Sequence, residues 1–229
     1  MILEIKDRIL FEDNHLLVIN KKVGELIQAD QTGDPTLADF VKSYIKKKYN
    51  KPGAVYLGVV HRLDRPTSGA VVFAKTSKAL SRLNAQFKSR IPKKTYWAIV
   101  SKDFPEQEGS LSHWMTRNTK QNKSKAHQKE VPNSKLALLD FKRIRDLQHY
   151  CLLEIQLETG RHHQIRAQLS STGFPIQGDL KYGAARSNAD GGISLHARSL
   201  RIEHPVRKEL MTFTANPERV GIWKGVLFD

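Results

Sequence analysis

The stretch LALLDFKRIRDLQHYCLLEIQL, residues 136–157, predicts two neighbouring strands. We expect the strands over residues 136–144 and 149–157, because apolar residues recur in both halves around a polar turn. The only cysteine of the chain, Cys151, lies in the second of these strands. It is expected to be a small buried hydrophobe, since no motif of a catalytic thiol surrounds it.

Similar patterns continue outward in both directions. Further strands are predicted over residues 9–12, 16–19, 70–74, 95–100 and 194–202. Helices are predicted after the candidate N-caps Thr36 and Ser77, and from Thr159 and Gly160 to about Ser171. Strands outnumber helices and form hairpin-like neighbours, which favours an α+β fold with a mainly antiparallel mixed sheet and flanking helices. With no linker or repeat, residues 1–229 are expected to form a single domain, although two lobes around a cleft would give the same pattern.

Positive charge is concentrated in the middle of the chain. The net charge is +15, and residues 41–130 alone hold 20 basic and 5 acidic residues. Such a concentration favours a polyphosphate ligand such as nucleic acid, because neutralised phosphates release counterions. A basic surface that only aids solubility is the alternative. Overlapping this region, residues 117–134 are polar and lysine-rich and are expected to form a mobile loop or an irregular hairpin.

The composition also argues against several classes of protein. The first residues lack the apolar run of a signal peptide, and no apolar stretch approaches the length of a membrane span. A single cysteine rules out an internal disulfide framework. These features predict a reducing, cytoplasmic location and no membrane partner.

The segment His-Arg-Leu-Asp-Arg-Pro-Thr-Ser-Gly, residues 61–69, is the first candidate site. It places the carboxylate of Asp64 among Arg62, Arg65 and His61. An aspartate near cations stays ionised at neutral pH, which suits a nucleophile or a charge stabiliser. By itself the segment is equally compatible with an Arg–Asp ion pair that holds a loop.

The segment Glu-Thr-Gly-Arg-His-His-Gln-Ile-Arg, residues 158–166, is the second candidate. A helix that opens here would leave backbone N–H groups near Arg161 and His162 available to a phosphate. His162 and Arg166 are four residues apart and would share a helix face. The adjacent histidines His162 and His163 would point in different directions, and no zinc spacing accompanies them, so no metal site is predicted. A surface ion pair is the alternative for Arg166.

Two further residues become informative only in combination. Tyr96 follows two lysines in a predicted strand, where its ring could stack on a base while the lysines meet phosphates. Leu195 begins another predicted strand. For each residue alone, a place in the core is the simpler interpretation.

Taken together and in this order, the segments resemble the RluA-type pseudouridine synthases. The family's signature around its catalytic aspartate, His-Arg-Leu-Asp-x-x-Thr-Ser-Gly, is matched by residues 61–69, and Gly-Arg-x-His-Gln-Ile-Arg is matched by residues 160–166. Shorter elements of the family match residues 94–96, 178–183 and 195–205. The resemblance runs from about residue 9 to residue 215 and implies that family's fold, with a central RNA-binding cleft.

The resemblance also implies roles for individual residues. Asp64 would be the catalytic aspartate, and Arg166 the cation paired with it. Tyr96 would stack on the target uracil with the apolar Leu195 beside it, while Arg62 would fill the space left by the flipped base. Isomerisation of uridine needs no redox change or energy input, so no cofactor is implied.

Two positions depart from the family's pattern. Lys22 stands where relatives commonly have proline, and Gln168 stands where many have histidine. Both lie where subfamilies differ, so they weaken an assignment to one particular RNA. The chain starts directly at the first hairpin, so we expect no separate N-terminal RNA-binding module.

The sequence therefore predicts an RNA pseudouridine synthase that acts on tRNA or rRNA, with no obligate protein partner evident; a monomer is compatible with it. The alternative is a non-catalytic RNA-binding or RNA-chaperone protein on the same scaffold. A metal-dependent nuclease is disfavoured, because the basic segment has few acidic ligands.

Overall fold

The structure, a computed structural model, describes residues 2–30 and 32–226. These residues fall into two compact units, which are treated separately. Unit 1 comprises residues 1–93 and 197–217, and unit 2 comprises residues 94–196 and 218–229. The prediction of a single domain over residues 1–229 stays a prediction.

The elements follow the α+β pattern expected from the sequence. The helices are α1 (Ile2–Lys6), α2 (Leu37–Lys48), α3 (Ser77–Lys88) and α4 (Gln164–Ser171), with short 3₁₀ helices at Leu180–Tyr182 and Gly221–Gly225. The strands are β1 (Ile9–Glu12), β2 (Leu16–Lys21), β3 (Gly58–Val59), β4 (Ser68–Ala74), β5 (Lys93–Ser101), β6 (Glu108–Asn118), β7 (Lys123–His127), β8 (Lys135–Asp146), β9 (Tyr150–Leu157), β10 (Leu195–Glu203) and β11 (Leu210–Thr214).

The sheet of unit 1 runs in the order β1-β2-β4-β10-β11, with β3 also on β4. The β1–β2, β2–β4 and β10–β11 pairs are antiparallel. Alternate residues of these strands and one face of α3 form its apolar core, which includes Val18, Val72, Leu83, Leu200 and Ile202. Burial of one face explains the alternation of Leu200 and Ile202 with charged neighbours.

The sheet of unit 2 runs in the order β5-β9-β8-β6-β7, and every one of these pairs is antiparallel. The strands β8 and β9 are the pair predicted from residues 136–157. Alternation along β5 places Tyr96 and Ala98 against one core cluster and Trp97 and Ile99 against another. Cys151 is fully buried in the first of these clusters, as predicted, and burial raises the pKa of its thiol.

Two helices begin with capping side chains. In α2 the Thr36 hydroxyl accepts from the Asp39 N–H, and the Asp39 carboxylate accepts from the Thr36 N–H, which confirms the predicted cap. The prediction that Ser77 caps α3 was wrong. Thr76 is the N-cap, and its hydroxyl accepts from the Ala79 N–H at 3.2 Å. Either hydroxyl suits a cap, and the extended backbone of Thr76 decides between them.

The prediction that α4 opens at Thr159 and Gly160 was also wrong, because the helix begins at Gln164. The carboxamide oxygen of Gln164 accepts from the Thr159 hydroxyl and from the Arg161 N–H, and these bonds close a turn ahead of the helix. His163 occupies the N-cap position with a left-handed backbone, φ 51°. A side chain from inside the helix therefore holds the segment that was expected to be its first turn.

The lysine-rich residues 117–134 include a regular hairpin. β6 and β7 pair in register from Trp114 with His127 to Asn118 with Lys123. Of the two predicted alternatives, a loop or a hairpin, the hairpin is therefore correct over this part. Among the described residues, no helix has the length and apolarity needed to cross a membrane.

Candidate active site

The segment 61–69 leads from β3 into β4 in unit 1. The imidazole of His61 accepts the Val72 N–H through Nε2 at 3.1 Å and stacks on Phe87, with ring centroids 4.9 Å apart. A turn follows, in which the Thr67 N–H donates to the Asp64 carbonyl at 3.0 Å. His61 therefore fixes the start of the loop, and this turn fixes the backbone at Asp64.

The side chains of this loop differ in exposure. Asp64 is half-buried and Arg62 is exposed. Arg65 forms an ion pair with Asp34 at 2.8 Å and donates to the Gly24 carbonyl at 3.1 Å. An Arg–Asp ion pair thus does hold this loop, and it is made by Arg65 with Asp34.

Lys21, at the end of β2, lies beneath the loop and is only 1% exposed. Its ammonium group donates to four backbone carbonyls, those of Lys22, Asp64, Arg65 and Thr67, at distances of 2.6–3.2 Å. Burial lowers the pKa of Lys21 to about 8. One buried cation therefore binds the backbone of Asp64 and of the residues that follow it in the loop.

Arg166 lies in α4 of unit 2, and its side chain is 5% exposed. Its guanidinium makes two hydrogen bonds to the Asp179 carboxylate, 2.7 Å from Nε to Oδ2 and 2.8 Å from Nη2 to Oδ1. The ring of Tyr182 lies 5.0 Å from the guanidinium carbon. The alternative of a surface ion pair for Arg166 does not apply, because both partners of this bidentate pair are buried.

Tyr96 and Leu195 meet the same apolar cluster of unit 2. Leu195 is 4% exposed and belongs to the cluster, while the half-buried Tyr96 packs against it. Ile165, the neighbour of Arg166 in α4, belongs to it too. The structure thus brings three of the predicted site elements of this unit, β5, the start of β10 and α4, to one cluster.

The predicted arrangement around His162 was wrong in three respects. His162 precedes α4, so it shares no helix face with Arg166. Its ring stacks on that of His163 at 3.8 Å, although the two were expected to diverge, because the left-handed backbone of His163 changes their relative direction. The Arg161 N–H is bonded to Gln164, so it is not available to a phosphate. His162 instead binds the β6–β7 hairpin through Ser124 and Asn122.

Lys94, the first residue of the family element at residues 94–96, is half-buried beside Gly160. A Cβ atom at Gly160 would lie 3.2 Å from the Lys94 ammonium nitrogen. Burial lowers the pKa of Lys94. The absence of a side chain at Gly160 therefore leaves space for the Lys94 ammonium group.

Sequence reasoning overlooked Lys21, Asp179 and Tyr182. The sequence does point to Asp179 and Tyr182, since both belong to the family element Gly-Asp-x-x-Tyr-Gly at residues 178–183. For Lys21 the signal was a lysine at an inward position of an otherwise buried strand, β2. Each acts by supporting a backbone or a side chain that the motifs had already identified.

Comparison with known proteins identifies the family. A family model described as RNA pseudouridylate synthase matches residues 15–171, which include Asp64, Tyr96 and Arg166. This chain is an RNA pseudouridylate synthase family member. The resemblance to the RluA-type enzymes is confirmed, since relatives of this pseudouridylate synthase include proteins named ribosomal large subunit pseudouridine synthase.

Individual relatives cover most of this synthase. It is 35% identical over 213 residues to the uncharacterized RNA pseudouridine synthase YhcT of Bacillus subtilis (strain 168), covering 90% of this chain and 67% of the relative. It is 34% identical over 222 residues to the ribosomal large subunit pseudouridine synthase D of Zymomonas mobilis, covering 93% and 69%. The chain spans about two thirds of the length of these relatives.

A solved structure supports the fold. The human RNA pseudouridylate synthase domain containing 4 protein superposes with a TM-score of 0.79 at 23% identity, covering 95% of this chain and 91% of that one. The predicted pseudouridine-synthase-like α+β fold is therefore confirmed.

Proposed function

We propose that this isomerase converts specific uridines of ribosomal or transfer RNA to pseudouridine, with Asp64 as its catalytic aspartate. The observation that carries the proposal is the full match of residues 61–69 to the signature around the family's aspartate, inside the matched region 15–171. Relatives named ribosomal large subunit pseudouridine synthases C and D support ribosomal RNA as the first RNA to examine. A cytoplasmic location accords with this substrate and with the single cysteine.

The reaction is an isomerisation whose atoms balance within the nucleotide. The N1–C1′ bond breaks, the uracil turns, C5 bonds to C1′, and a proton leaves C5 while N1 gains one. Nothing is oxidised or reduced, so the proposal needs no cofactor. Asp64 either attacks C1′ or takes a proton from C2′, and an ionised carboxylate serves both routes.

The other residues are proposed to bind the same uridine. The target base must leave the stack at a cost of a few kcal/mol, and the exposed, long side chain of Arg62 suits the vacated position. Tyr96 and Leu195, both at one apolar cluster, suit a surface on which the detached uracil turns. Arg166 is proposed as the cation that pairs with Asp64, with its own position set by Asp179.

Replacement of the carboxylate tests the role of Asp64. Asp64→Asn should abolish pseudouridine formation and leave RNA affinity within about tenfold, because the isosteric amide removes the reactive group and few phosphate contacts. Pseudouridines mapped in total RNA from cells with and without each variant give the readout. Asp7→Asn, which makes the same charge change at an exposed position, should leave the pattern unchanged. Substantial activity of Asp64→Asn would sink this assignment.

The alternative of a non-catalytic RNA-binding or RNA-chaperone protein gives a different result in the same experiment. It predicts that removal of the wild-type protein erases no pseudouridine from any RNA. It also gives no reason for Asp64, Tyr96 and Arg166 to occur together.

A further inference from the structure

A cavity of about 570 Å³ lies in unit 2, between the β6–β7 hairpin and the helix α4. Neither Tyr96, Arg166 nor Leu195 lines it. The lining residues are Thr116, Asn118, Gln121, Lys123, Ser124, Lys125, Ala126, Ala167, Ser170, Ser171 and Tyr182. The cavity is therefore a feature separate from the residues proposed to hold the target uridine.

The hairpin wall of this cavity is tied firmly to the rest of the unit. The Ser124 N–H donates to the Tyr182 hydroxyl at 2.8 Å, and the Ser124 hydroxyl bonds to His162 Nδ1 at 2.9 Å. The other nitrogen of His162 lies 3.1 Å from the Asn122 carboxamide oxygen. These bonds attach the hairpin that forms one wall of the cavity to His162 and Tyr182.

The chemistry of the lining suits a nucleotide. It includes two lysines, Lys123 and Lys125, and no carboxylate. The Asn118 carboxamide oxygen accepts from the Gln121 N–H at 3.1 Å, which leaves the amide NH₂ group as a donor. The hydroxyl of Ser170 donates to the Tyr182 carbonyl at 2.6 Å, which leaves its oxygen as an acceptor. The lining therefore offers lysines that can bind a phosphate, together with hydrogen-bond donors and acceptors that can bind a base.

We propose that this cavity binds an unpaired nucleotide of the substrate RNA, at a distance along the RNA from the modified uridine. Its volume lies in the range of about 300–1000 Å³ that is typical of pockets for small ligands. Single-stranded RNA is recognised by splayed bases in pockets with cations at the phosphates, whereas a helical stem offers no single base to a concave site. The inference rests on RNA being the substrate, as the proposed function holds.

The cavity also shares supports with Arg166. Ala167 and Ser170 line it from α4, the helix that carries Arg166, and Tyr182 both lines it and lies against the guanidinium. A nucleotide bound there would contact α4, the helix that carries Arg166. Occupancy of the cavity would therefore help to select RNAs whose unpaired bases have the right spacing.

Filling the cavity without changing charge tests the proposal. Ala126 is half-buried in β7 and lines the cavity, so Ala126→Phe should occupy it with a residue that suits a strand. The probes are fluorescein-labelled decauridine and the same strand paired with decaadenylate, with binding followed by fluorescence anisotropy. We expect Ala126→Phe to weaken binding of the single strand about tenfold, because the phenyl ring takes the space of the base, and to leave duplex binding unchanged.

A charge-matched pair of variants separates the cavity from general attraction. Lys123→Gln with Lys125→Gln should weaken single-strand binding more than Lys102→Gln with Lys135→Gln, which removes two exposed lysines of the same unit outside the cavity. Equal losses in the two double variants, or wild-type binding by Ala126→Phe, would overturn the proposal. If Ala126→Phe fails to fold, as judged by its thermal melting, Ser171→Tyr at the exposed rim takes its place with the same expectation.

These measurements require no catalysis. An Asp64→Asn protein that makes no pseudouridine should still show the loss of binding on Ala126→Phe. Failure of the cavity proposal and failure of the proposed function are thus distinguishable.

Discussion

At the scale of single residues, the pair of Arg166 and Asp179 shows how a motif residue depends on a partner elsewhere in the chain. The Asp179 carboxylate is 1% exposed and meets the guanidinium through two hydrogen bonds. A fork-to-fork pair fixes the orientation of an arginine as well as its charge. Loss of either partner leaves a charge or a polar group in a buried site.

We expect Asp179→Asn to lower the free energy of unfolding by about 3–5 kcal/mol, because the buried guanidinium loses its compensating charge. Urea denaturation of the purified variant at pH 7 measures this change. Asp103→Asn, at an exposed position in the same unit, should stay within about 0.5 kcal/mol of the wild type. Wild-type stability of Asp179→Asn would mean that the pair contributes no net stabilisation.

At the scale of elements, the approach of β4 to β10 depends on one glycine. Gly69 has φ +120°, and a Cβ atom there would overlap the backbone nitrogen and carbonyl oxygen of Ala197. Gly69 is also the last residue of the segment 61–69. The glycine of the signature is therefore explained by packing between two strands of unit 1.

Gly69→Ala should destabilise the protein by about 2–4 kcal/mol, because the methyl group meets backbone atoms that cannot move aside and the backbone angle disfavours alanine. Gly53→Ala is the matched control, since a Cβ atom at Gly53 meets nothing within 4 Å. Differential scanning calorimetry of the two variants should separate them by several degrees. Equal melting temperatures would contradict the close approach of β4 and β10.

The contact between β2 and the loop of Asp64 depends on Lys21. Because Lys21 can lose its proton, the free energy of unfolding of the protein should vary with pH. The folded protein binds this proton less tightly than the unfolded chain, because burial lowers the pKa of Lys21 from 10.5 to about 8. The unfolded chain holds more protons between these two values, so the free energy of unfolding should rise with pH across this window. The full difference between the unfolded and folded pKa of Lys21 corresponds to about 3 kcal/mol in the free energy of unfolding.

The measurement compares the wild type with Lys21→Met in urea at pH values from 7 to 10.5. The wild type should gain stability relative to Lys21→Met as the pH rises above 8. At pH 7 the variant should also lose pseudouridine formation, because the carbonyls of Asp64, Arg65 and Thr67 lose their shared donor. A constant difference in stability across the pH range would refute the lowered pKa.

At the scale of the whole molecule, the net charge of +15 predicts strongly salt-dependent RNA binding. Not every lysine of the basic middle segment is equally available to phosphates. Lys48 lies 2.6 Å from the Glu12 carboxylate, an ion pair that raises the pKa of this lysine. Lys46 and Lys47 remain the better candidates of the run 46–48, since both lie exposed in the last turn of α2.

The logarithm of the RNA association constant should therefore fall linearly with the logarithm of salt concentration. For single strands the slope is about 0.7 per phosphate contact, so Lys46→Gln with Lys47→Gln should make it shallower by about 1.4. Anisotropy titrations with decauridine over a range of potassium chloride concentrations measure both slopes. An association constant of the wild type that does not change with salt concentration would argue against phosphate contacts by these lysines.

The sequence by itself determined the features that depend on near neighbours. The antiparallel partners β8 and β9 and the N-cap at Thr36 followed from periodicity and local hydrogen bonding. The signature segments were also sufficient by themselves to indicate the family. The strands and the cap were predictable because the repeat of a strand and the first turn of a helix lie within four residues.

Only the tertiary structure decided which distant groups meet. The orientation of Arg166 depends on Asp179, 13 positions away, and the backbone of the Asp64 loop depends on Lys21, 43 positions away. Each contact satisfies a buried polar group whose partner is chosen by the path of the chain. A sequence pattern records which groups need partners, but the topology brings each partner to its place.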